Sequence, residues 1–321
     1  MGYKLAGFDH LGGVEIDPEV AAVYKANHKP KHLFVEDIRE FNKRTDLPDE
    51  LFNLDLLDGS PPCSSFSMAG NREKDWGKEK VFREGQAMQR LDDLFFDYIE
   101  LAKRLQPKVV IAENVKGMLH GNAKAYVKRV KAEFEAAGYV VQLFLLNAAS
   151  MGVPQRRERV FFVCQRKDMG WPRLVLDFKE RGIPFAEVMQ SVAGKDECLE
   201  HSELYTKYWH ETPPGQHLGK FKAATKKLDP DKVSYTIAAQ AGWSHFHPKE
   251  CRQLSKQEVC MIGAYPIDFD FQRMTWHYLI GMSVPPVMTA QVAHQVNLQW
   301  LSKEATGETF AQRADAQQSV A

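Results

Sequence analysis

The strongest constraint on the fold is the alternation of strand-like and helix-like segments through the first 165 residues. Short apolar runs, which are typical of buried strands, occupy residues 14–16, 53–57, 108–112, 140–146 and 160–164. Helix-like segments start at Asp17-Pro18, end before Pro107 and end at Gly138. Strands that alternate with helices predict an α/β fold with a doubly wound, mostly parallel sheet of the Rossmann-like type.

The regular pattern stops near residue 166, after which Pro172, Pro184, Pro213, Pro214 and scattered aromatic residues interrupt it. Regularity returns after Val233, and the last predicted helix covers residues 288–301. We therefore predict four segments: a main domain at 1–165, a small irregular region at 166–232, a return to the main domain with a closing helix at 233–303, and a disordered tail at 304–321.

Charge is balanced over the whole chain but not locally. The chain has 42 Lys and Arg against 42 Asp and Glu, yet residues 124–167 contain nine basic and three acidic side chains. A second basic stretch without acids, residues 213–228, contains Lys220, Lys222, Lys226 and Lys227. Such stretches suit a polyanion, although a solvated lysine patch is an equally good interpretation of the second one.

Cysteine usage and apolar run lengths bound the compartment. The five cysteines are an odd number and form no CxxC pair, which argues against a disulfide scaffold and against a zinc site. A reducing cytoplasm is the simplest location. No apolar run approaches the ~20 residues of a membrane span, and the amino terminus lacks the apolar run of a signal peptide. We expect no metal and no membrane partner.

Three polar motifs stand at the ends of predicted strands, where open α/β sheets bind ligands. Cys63 follows the strand at 53–57 in a loop whose two prolines restrict the position of its sulfur. Glu113 follows another apolar run, and Arg157 and Arg159 lead into a third. Taken singly, each has a plainer explanation: a buried cysteine, a surface glutamate and a solvated basic face.

The segment Glu15-Ile16-Asp17 is a fourth motif at a strand end. An acid in this place commonly binds the ribose diol of a nucleotide-like cofactor. The alternative is a structural one, because Asp before Pro also caps helix amino termini.

In their combination and order, these motifs resemble those of the C5-cytosine DNA methyltransferase family of the bacterial and phage type. The segments that carry the resemblance are PPC-S-S-F-S-M-A-G at 61–70, ENV at 113–115, QRRER at 155–159, R-Q-L-S…E…Y-P at 252–266 and G-M-S-V-P-P at 281–286. The resemblance covers nearly the whole chain except the stretch between QRRER and Thr236. In this family that stretch holds the target-recognition domain, which we therefore expect at 166–232.

The resemblance implies roles for the strand-end residues. Cys63 is expected to add to C6 of cytosine, and Glu113 to contact N3 and the exocyclic amine. Arg159, with Arg157 beside it, is expected to hold O2 and stabilise the developing charge.

The same resemblance implies that the substrate is duplex DNA. Its target base is flipped out of the helix, because C5 cannot be reached inside the duplex. The polar loop at 64–89 is expected to close over the DNA. The residues expected to contact DNA are Ser64, Ser67, Lys220, Lys222, Lys226 and Lys227. We expect the protein to be a monomer, and we expect it to belong to a restriction–modification system.

The implied cofactor is S-adenosylmethionine. Glu15 would bind the ribose hydroxyls, Ile16 would pack on the adenine, and Asp37 would accept from the adenine amine. The remaining expected contacts are Ile38, Leu94, Ser283 and Val284.

Two departures from the family pattern leave alternatives open. Met282 stands where the family usually has Asn, and residues 1–16 lack the first strand and its Gly-rich loop. We therefore predict a gap in the sheet beside the strand at 14–16 and weak cofactor binding. The alternatives to a DNA methyltransferase are a non-catalytic or cofactor-impaired DNA-binding fragment of such an enzyme and a tRNA cytosine-5 methyltransferase.

Overall fold

The structure, a computed structural model, describes residues 1–62, 94–121, 123–192, 202–219, 225–239 and 245–302. The α-helices are α1 (Gly2–Leu5), α2 (Pro18–His28), α3 (Ile38–Phe41), α4 (Leu94–Leu105), α5 (Ala123–Ala136), α6 (Phe185–Ser191), α7 (Glu203–Glu211), α8 (Lys256–Ile262), α9 (Trp276–Met282) and α10 (Pro286–Val296). The strands are β1 (Gly12–Val14), β2 (His32–Phe34), β3 (Leu56–Gly59), β4 (Val109–Val115), β5 (Tyr139–Asn147), β6 (Glu158–Arg166), β7 (Lys226–Lys227) and β8 (His245–Phe246).

The predicted helix ends follow from local chemistry. Asp17 accepts hydrogen bonds from the backbone N–H groups of Glu19 and Val20, and Pro18 occupies the first position of α2. The helix α5 stops at Ala136 because Gly138 follows with a φ of +100°, in the region that favours glycine. The predicted last helix appears as α10, which continues as a π-helix over Asn297–Leu301.

The main sheet has four strands in the order β3-β4-β6-β5. β3 pairs in parallel with β4, whereas β6 is antiparallel to both β4 and β5. The α/β fold is therefore confirmed, with β6 reversed relative to β4. The reason is the connection between β5 and β6, residues 148–157, which contains no α-helix to cross the sheet.

A second sheet contains only β1 and β2, which pair in parallel. Among the described residues, no strand joins this pair to β3, so the predicted gap beside β1 is confirmed. The strand itself ends at Val14, two residues before the predicted end.

Apolar side chains cover both faces of the main sheet. One face packs against α4 and α5 through residues such as Phe95, Phe134 and Phe162. The other face packs against α10 and the stacked indoles of Trp171 and Trp300, whose ring centroids lie 5.5 Å apart. The central strand β4 is buried over its first four residues, which makes its polar carboxyl end a distinct site.

The predicted irregular region at 166–232 contains α6, α7 and β7. A small cluster of Trp209, Leu218 and Phe246 forms its own apolar centre. β7 pairs with β8, which lies beyond residue 232, so this pair links the two sides of the proposed boundary. The four-segment division of the chain stays a prediction. No helix within the described ranges is long and apolar enough to cross a membrane.

Candidate active site

The polar ends of three neighbouring strands meet at one edge of the main sheet. Gly59 at the end of β3 lies opposite Ala112 of β4, and Val115 at the end of β4 lies opposite Arg159 of β6. Because β6 is antiparallel, its amino end lies at the edge where β3 and β4 have their carboxyl ends. The PPC, ENV and QRRER motifs therefore converge, as the strand-end argument predicts.

Glu113 and Arg159 form an ion pair at the centre of this edge. Arg159 Nε lies 2.9 Å from Glu113 Oε1, and the two side chains are only 15% and 12% exposed. Burial raises the pKa of Glu113, although Arg159 and a hydrogen bond from Ser60 act in the opposite direction. Burial likewise lowers the pKa of Arg159. Glu113 thus takes up a proton more readily than an exposed glutamate, while it lies beside the guanidinium of Arg159.

Asn114 positions the loop that leads to Cys63. Its amide Nδ2 donates a 2.9 Å hydrogen bond to the carbonyl of Pro61, and its Oδ1 accepts from the backbone N–H of Val115. The side chain is buried, so both bonds form away from water. Asn114 was absent from the expected site residues, and its place in the ENV motif is the only sequence signal for it. Cys63 itself lies outside the described residues, as do Ser64 and Ser67.

Arg157 does not share the environment of Arg159, contrary to the expectation that both hold the base. It is 1% exposed, and its guanidinium donates to the carbonyls of Ile237 at 2.9 Å and Gly281 at 2.7 Å. Burial lowers its pKa to about 9. The guanidinium joins β6 to α9 and to the segment around Ile237. Arg157 is therefore a positioning residue.

The two predicted lysine contacts, Lys226 and Lys227, are placed differently. Lys227 is buried, and its Nζ donates to the carbonyl of Trp209 at 3.1 Å and lies 3.6 Å from the centre of the Trp209 ring. This position contradicts a phosphate contact for Lys227. Lys226 is half-buried and lies over Tyr235 instead. Lys220 and Lys222 lie outside the described residues.

The residues expected to bind the adenosine part of a cofactor lie at the ends of β1 and β2. Glu15 follows β1, and its carboxylate accepts from the backbone N–H of Asp17 at 2.8 Å. Asp37 follows β2 and caps α3 by accepting from Arg39 N at 2.8 Å. Burial raises the pKa of Glu15. Ile16 is 41% exposed, as a side chain that covers an aromatic ligand must be.

The other expected cofactor residues lie on separate elements. Ile38 and Leu94 are half-buried and begin α3 and α4. Ser283 follows α9 and donates from Oγ to the carbonyl of Ile280 at 3.0 Å, and Val284 packs against the cluster that contains Trp300. These residues fit the nucleoside of S-adenosylmethionine, because the carboxylates of Glu15 and Asp37 can accept hydrogen bonds from hydroxyl and amine groups. For the methionine part, residues 1–16 provide no Gly-rich turn.

Comparison with known proteins identifies relatives for this site. A family model described as C-5 cytosine-specific DNA methylase matches residues 1–297. Type II methyltransferase M.FnuDI of Fusobacterium nucleatum is 28% identical, over 98% of this chain and 95% of that protein. M.DdeI of Desulfomicrobium norvegicum is 34% identical, over 92% of this chain and 85% of that protein.

Solved structures show the same fold. A structure described as a DNA modification methyltransferase encoded within a prophage (E. coli) superposes with a TM-score of 0.69 at 18% identity, over 93% of this chain and 94% of that one. A Spodoptera frugiperda DNMT2 structure gives a TM-score of 0.62 at 16% identity, over 92% of this chain and 95% of that one.

Proposed function

The chain belongs to the C-5 cytosine-specific DNA methylase family and is a DNA cytosine-5 methyltransferase, and we propose that Cys63, Glu113 and Arg159 carry its chemistry. The observation that supports this assignment is the Glu113–Arg159 pair, which lies beside the loop that leads to Cys63. A carboxyl and a guanidinium so placed match the N3 and O2 edge of a cytosine.

Cys63 supplies the nucleophile. Asn114 anchors Pro61, two residues before Cys63, to β4. The thiolate forms a bond to C6 of the base, and the electron pair of the C5–C6 bond moves towards C5 and the ring. The buried amide of Asn114 therefore holds Pro61 beside the strand that carries Glu113.

Glu113 and Arg159 make the base a better electrophile. The raised pKa of Glu113 favours its protonated form, which donates to N3 as charge builds on the ring. Arg159 stays charged beside it and donates to O2. After C5 has taken the methyl group, the C5 proton leaves to a base and the bond between sulfur and C6 breaks. Cys63 is thereby regenerated.

S-adenosylmethionine would supply the methyl group that C5 accepts; the bond between its sulfonium sulfur and the methyl carbon would break, and the rest of the molecule would leave as a neutral thioether. In our proposal Glu15 binds the ribose hydroxyls, Asp37 accepts from the adenine amine, and Ile16 covers the adenine ring. The carboxylates lie at the carboxyl ends of two adjacent parallel strands, the edge at which open α/β sheets bind nucleotides.

Duplex DNA is the proposed partner, with the target cytosine rotated out of the helix to reach the strand ends. We also propose that the chain works in the cytoplasm, since the thiol of Cys164 is buried within β6 and makes no disulfide.

Methyl transfer from tritiated S-adenosylmethionine to unmethylated plasmid DNA tests the proposal, with unmodified tRNA as the competing substrate. Cys63→Ser should lower turnover at least a hundredfold and keep DNA affinity, because a hydroxyl is a far weaker nucleophile near neutral pH. Glu113→Gln should reduce turnover by about 10²–10⁴ and leave cofactor affinity within a few fold.

A duplex that carries 5-fluorocytosine should trap the wild-type protein covalently, because fluorine cannot leave C5 as a proton does. The Cys63→Ser variant should form no such adduct. If Cys63→Ser retains more than about a hundredth of wild-type turnover, Cys63 is not the nucleophile.

A further inference from the structure

Two cations from different segments lie over one tyrosine ring near the active site. The Cζ of Arg156 is 4.7 Å from the ring centre of Tyr235, and the Nζ of Lys226 is 3.7 Å from it. Arg156 precedes β6, Lys226 belongs to β7, and Tyr235 lies in the segment between β7 and β8. We refer to these three residues as the cation stack.

The cation stack brings two like charges together without a neutralising carboxylate. Because both cationic groups lie close to the same ring, they are also close to each other. Among the described residues, neither cation forms an ion pair, whereas the neighbouring Lys232 is paired with Asp229 at 2.8 Å. The ring attracts both cations, and an anion bound beside them would offset their mutual repulsion.

The backbone under Arg156 is held rigidly. The N–H of Arg156 donates to the carbonyl of Ser234 at 2.9 Å, and the hydroxyl of Thr236 donates to the carbonyl of Arg156 at 2.5 Å. The preceding Gln155 is buried and binds the carbonyl of Ile262 and the N–H of Ile237. Arg156 itself is exposed. Its side chain therefore projects into solvent from a fixed position.

The stack lies close to the base-binding pair. Arg156 precedes Arg159 by three residues, so their backbones are at most about 11 Å apart. A nucleotide held by Glu113 and Arg159 must carry its own phosphates within a similar distance. The neighbouring Arg157 is buried and turned towards Ile237 and Gly281, so Arg156 is the arginine of this motif that is open to a backbone phosphate.

We propose that Arg156 and Lys226, held together by Tyr235, bind the phosphate backbone of the DNA strand beside the nucleotide being methylated. This inference rests on the proposed function. The contact positions the strand and reads no sequence, because phosphates are the same at every base pair. It also couples the catalytic domain to the recognition region, since the two cations come from opposite sides of that junction.

The test is the double variant Arg156→Ala/Lys226→Ala, and the control is Lys131→Ala/Lys167→Ala. The control removes the same charge from the second half of α5 and from just beyond the carboxyl end of β6, at the opposite edge of the sheet. Binding of a 30-base-pair duplex of mixed sequence is measured from low to moderate salt. The slope of log affinity against log salt concentration should become less steep by about 1–2 in the stack variant and equal that of wild type in the control.

Steady-state kinetics on unmethylated plasmid DNA shows whether the variants affect DNA binding, cofactor binding or the chemical step. The stack variant should raise KM for DNA at least tenfold, with kcat within about threefold of wild type and KM for S-adenosylmethionine unchanged. Tyr235→Leu keeps both charges and removes the ring, so it should raise KM for DNA by a smaller factor. Melting temperatures near wild type for all variants exclude unfolding as the cause.

Each outcome has one meaning. A salt slope and a KM for DNA that match the control overturn the phosphate contact, and methyl transfer that persists leaves the proposed function standing. A loss of kcat with unchanged DNA affinity also overturns it and makes the stack structural. If wild-type protein transfers no methyl group to DNA, the proposed function fails and the contact fails with it.

Discussion

At the scale of single residues, neighbouring side chains of one motif perform different tasks. Within QRRER, Arg159 pairs with Glu113, Arg157 is buried on two backbone carbonyls, and Arg156 is exposed beside Tyr235. Glu158 turns outward and binds Lys116 through both carboxylate oxygens. The three arginines of this four-residue run therefore have three different surroundings: one lines the pocket, one packs in the interior and one is exposed.

If Arg157 holds the fold together and Arg159 acts on the substrate, variants at the first should lose stability and variants at the second should lose activity. Arg157→Ala leaves the buried carbonyls of Ile237 and Gly281 unpaired, so the free energy of unfolding should fall by about 2–4 kcal/mol. Arg159→Ala combined with Glu113→Gln removes both charges of the buried pair. It should change stability by less than about 1 kcal/mol but lower kcat at least a hundredfold.

Urea unfolding and methyl transfer, measured on the same preparations, distinguish the two patterns. Equal losses of stability in both variants would contradict the separation of roles.

Asp58 predicts a pH dependence of stability. The side chain of Asp58 is exposed at the open edge of β3, but the protein around it disfavours a charge there and raises the pKa of Asp58 to about 6. The contribution of the protonated carboxyl is complete below about pH 4 and is lost as pH rises through about 6. Asp58→Asn should therefore gain stability relative to wild type across that interval and keep the gain at pH 8.

Urea titrations at several pH values measure this difference. Asp55→Asn removes the same charge from just before the same strand, where Asp55 pairs with Lys108 at 3.0 Å, and serves as the charge-matched control. Parallel pH profiles for wild type and Asp58→Asn would contradict the raised pKa.

At the scale of elements, several motifs that resemble the family's serve to build the scaffold. Ser255 and Glu258 form a capping box at the start of α8. The guanidinium of Arg252 donates to both carboxylate oxygens of Glu258, at 2.7 and 2.9 Å. Glu258 is buried, so this pair ties the loop after β8 to the helix and leaves catalysis to the strand ends.

If residues 166–232 are the recognition region, as we propose, exchanging them should transfer the sequence specificity. Replacing residues 166–232 with the equivalent stretch of a relative should change the methylated sequence and keep the chemistry, because base-edge contacts are worth about 1–3 kcal/mol each. β7 pairs with β8, and Phe246 packs with Trp209, so an exchange that runs to residue 246 should be more stable.

Sequencing of methylated plasmid DNA and melting temperatures provide the two measurements. A chimaera that still methylates the original sequence would show that recognition lies elsewhere.

At the scale of the whole molecule, the main sheet and the β1–β2 pair are separate among the described residues. In the described ranges, β1 pairs only with β2 and β3 pairs only with β4, and the two acids proposed to bind the nucleoside, Glu15 and Asp37, follow the strands of the smaller sheet. The proposed cofactor site thus depends on how firmly these two sheets are held together.

This arrangement predicts weak binding of S-adenosylmethionine to residues 1–321. Placing a strand and a Gly-rich turn of the family's kind ahead of Met1 should raise the affinity at least tenfold, because a paired strand joins both edges. A Gly/Ser extension of equal length should have no effect. Isothermal titration calorimetry measures both, and micromolar binding without any extension would show that the strand is dispensable.

The sequence alone determined the four strands of the main sheet and the positions of Glu113 and Arg159 close to strand ends, because apolar periodicity and helix caps act over a few residues. The direction of β6, the burial of Arg157 and the different surroundings of Lys226 and Lys227 came only from the tertiary structure. Each depends on partners distant in sequence: β4 and β5 for β6, Ile237 and Gly281 for Arg157, and Trp209 for Lys227. Burial and pairing are properties of such long-range contacts, which a local pattern does not encode.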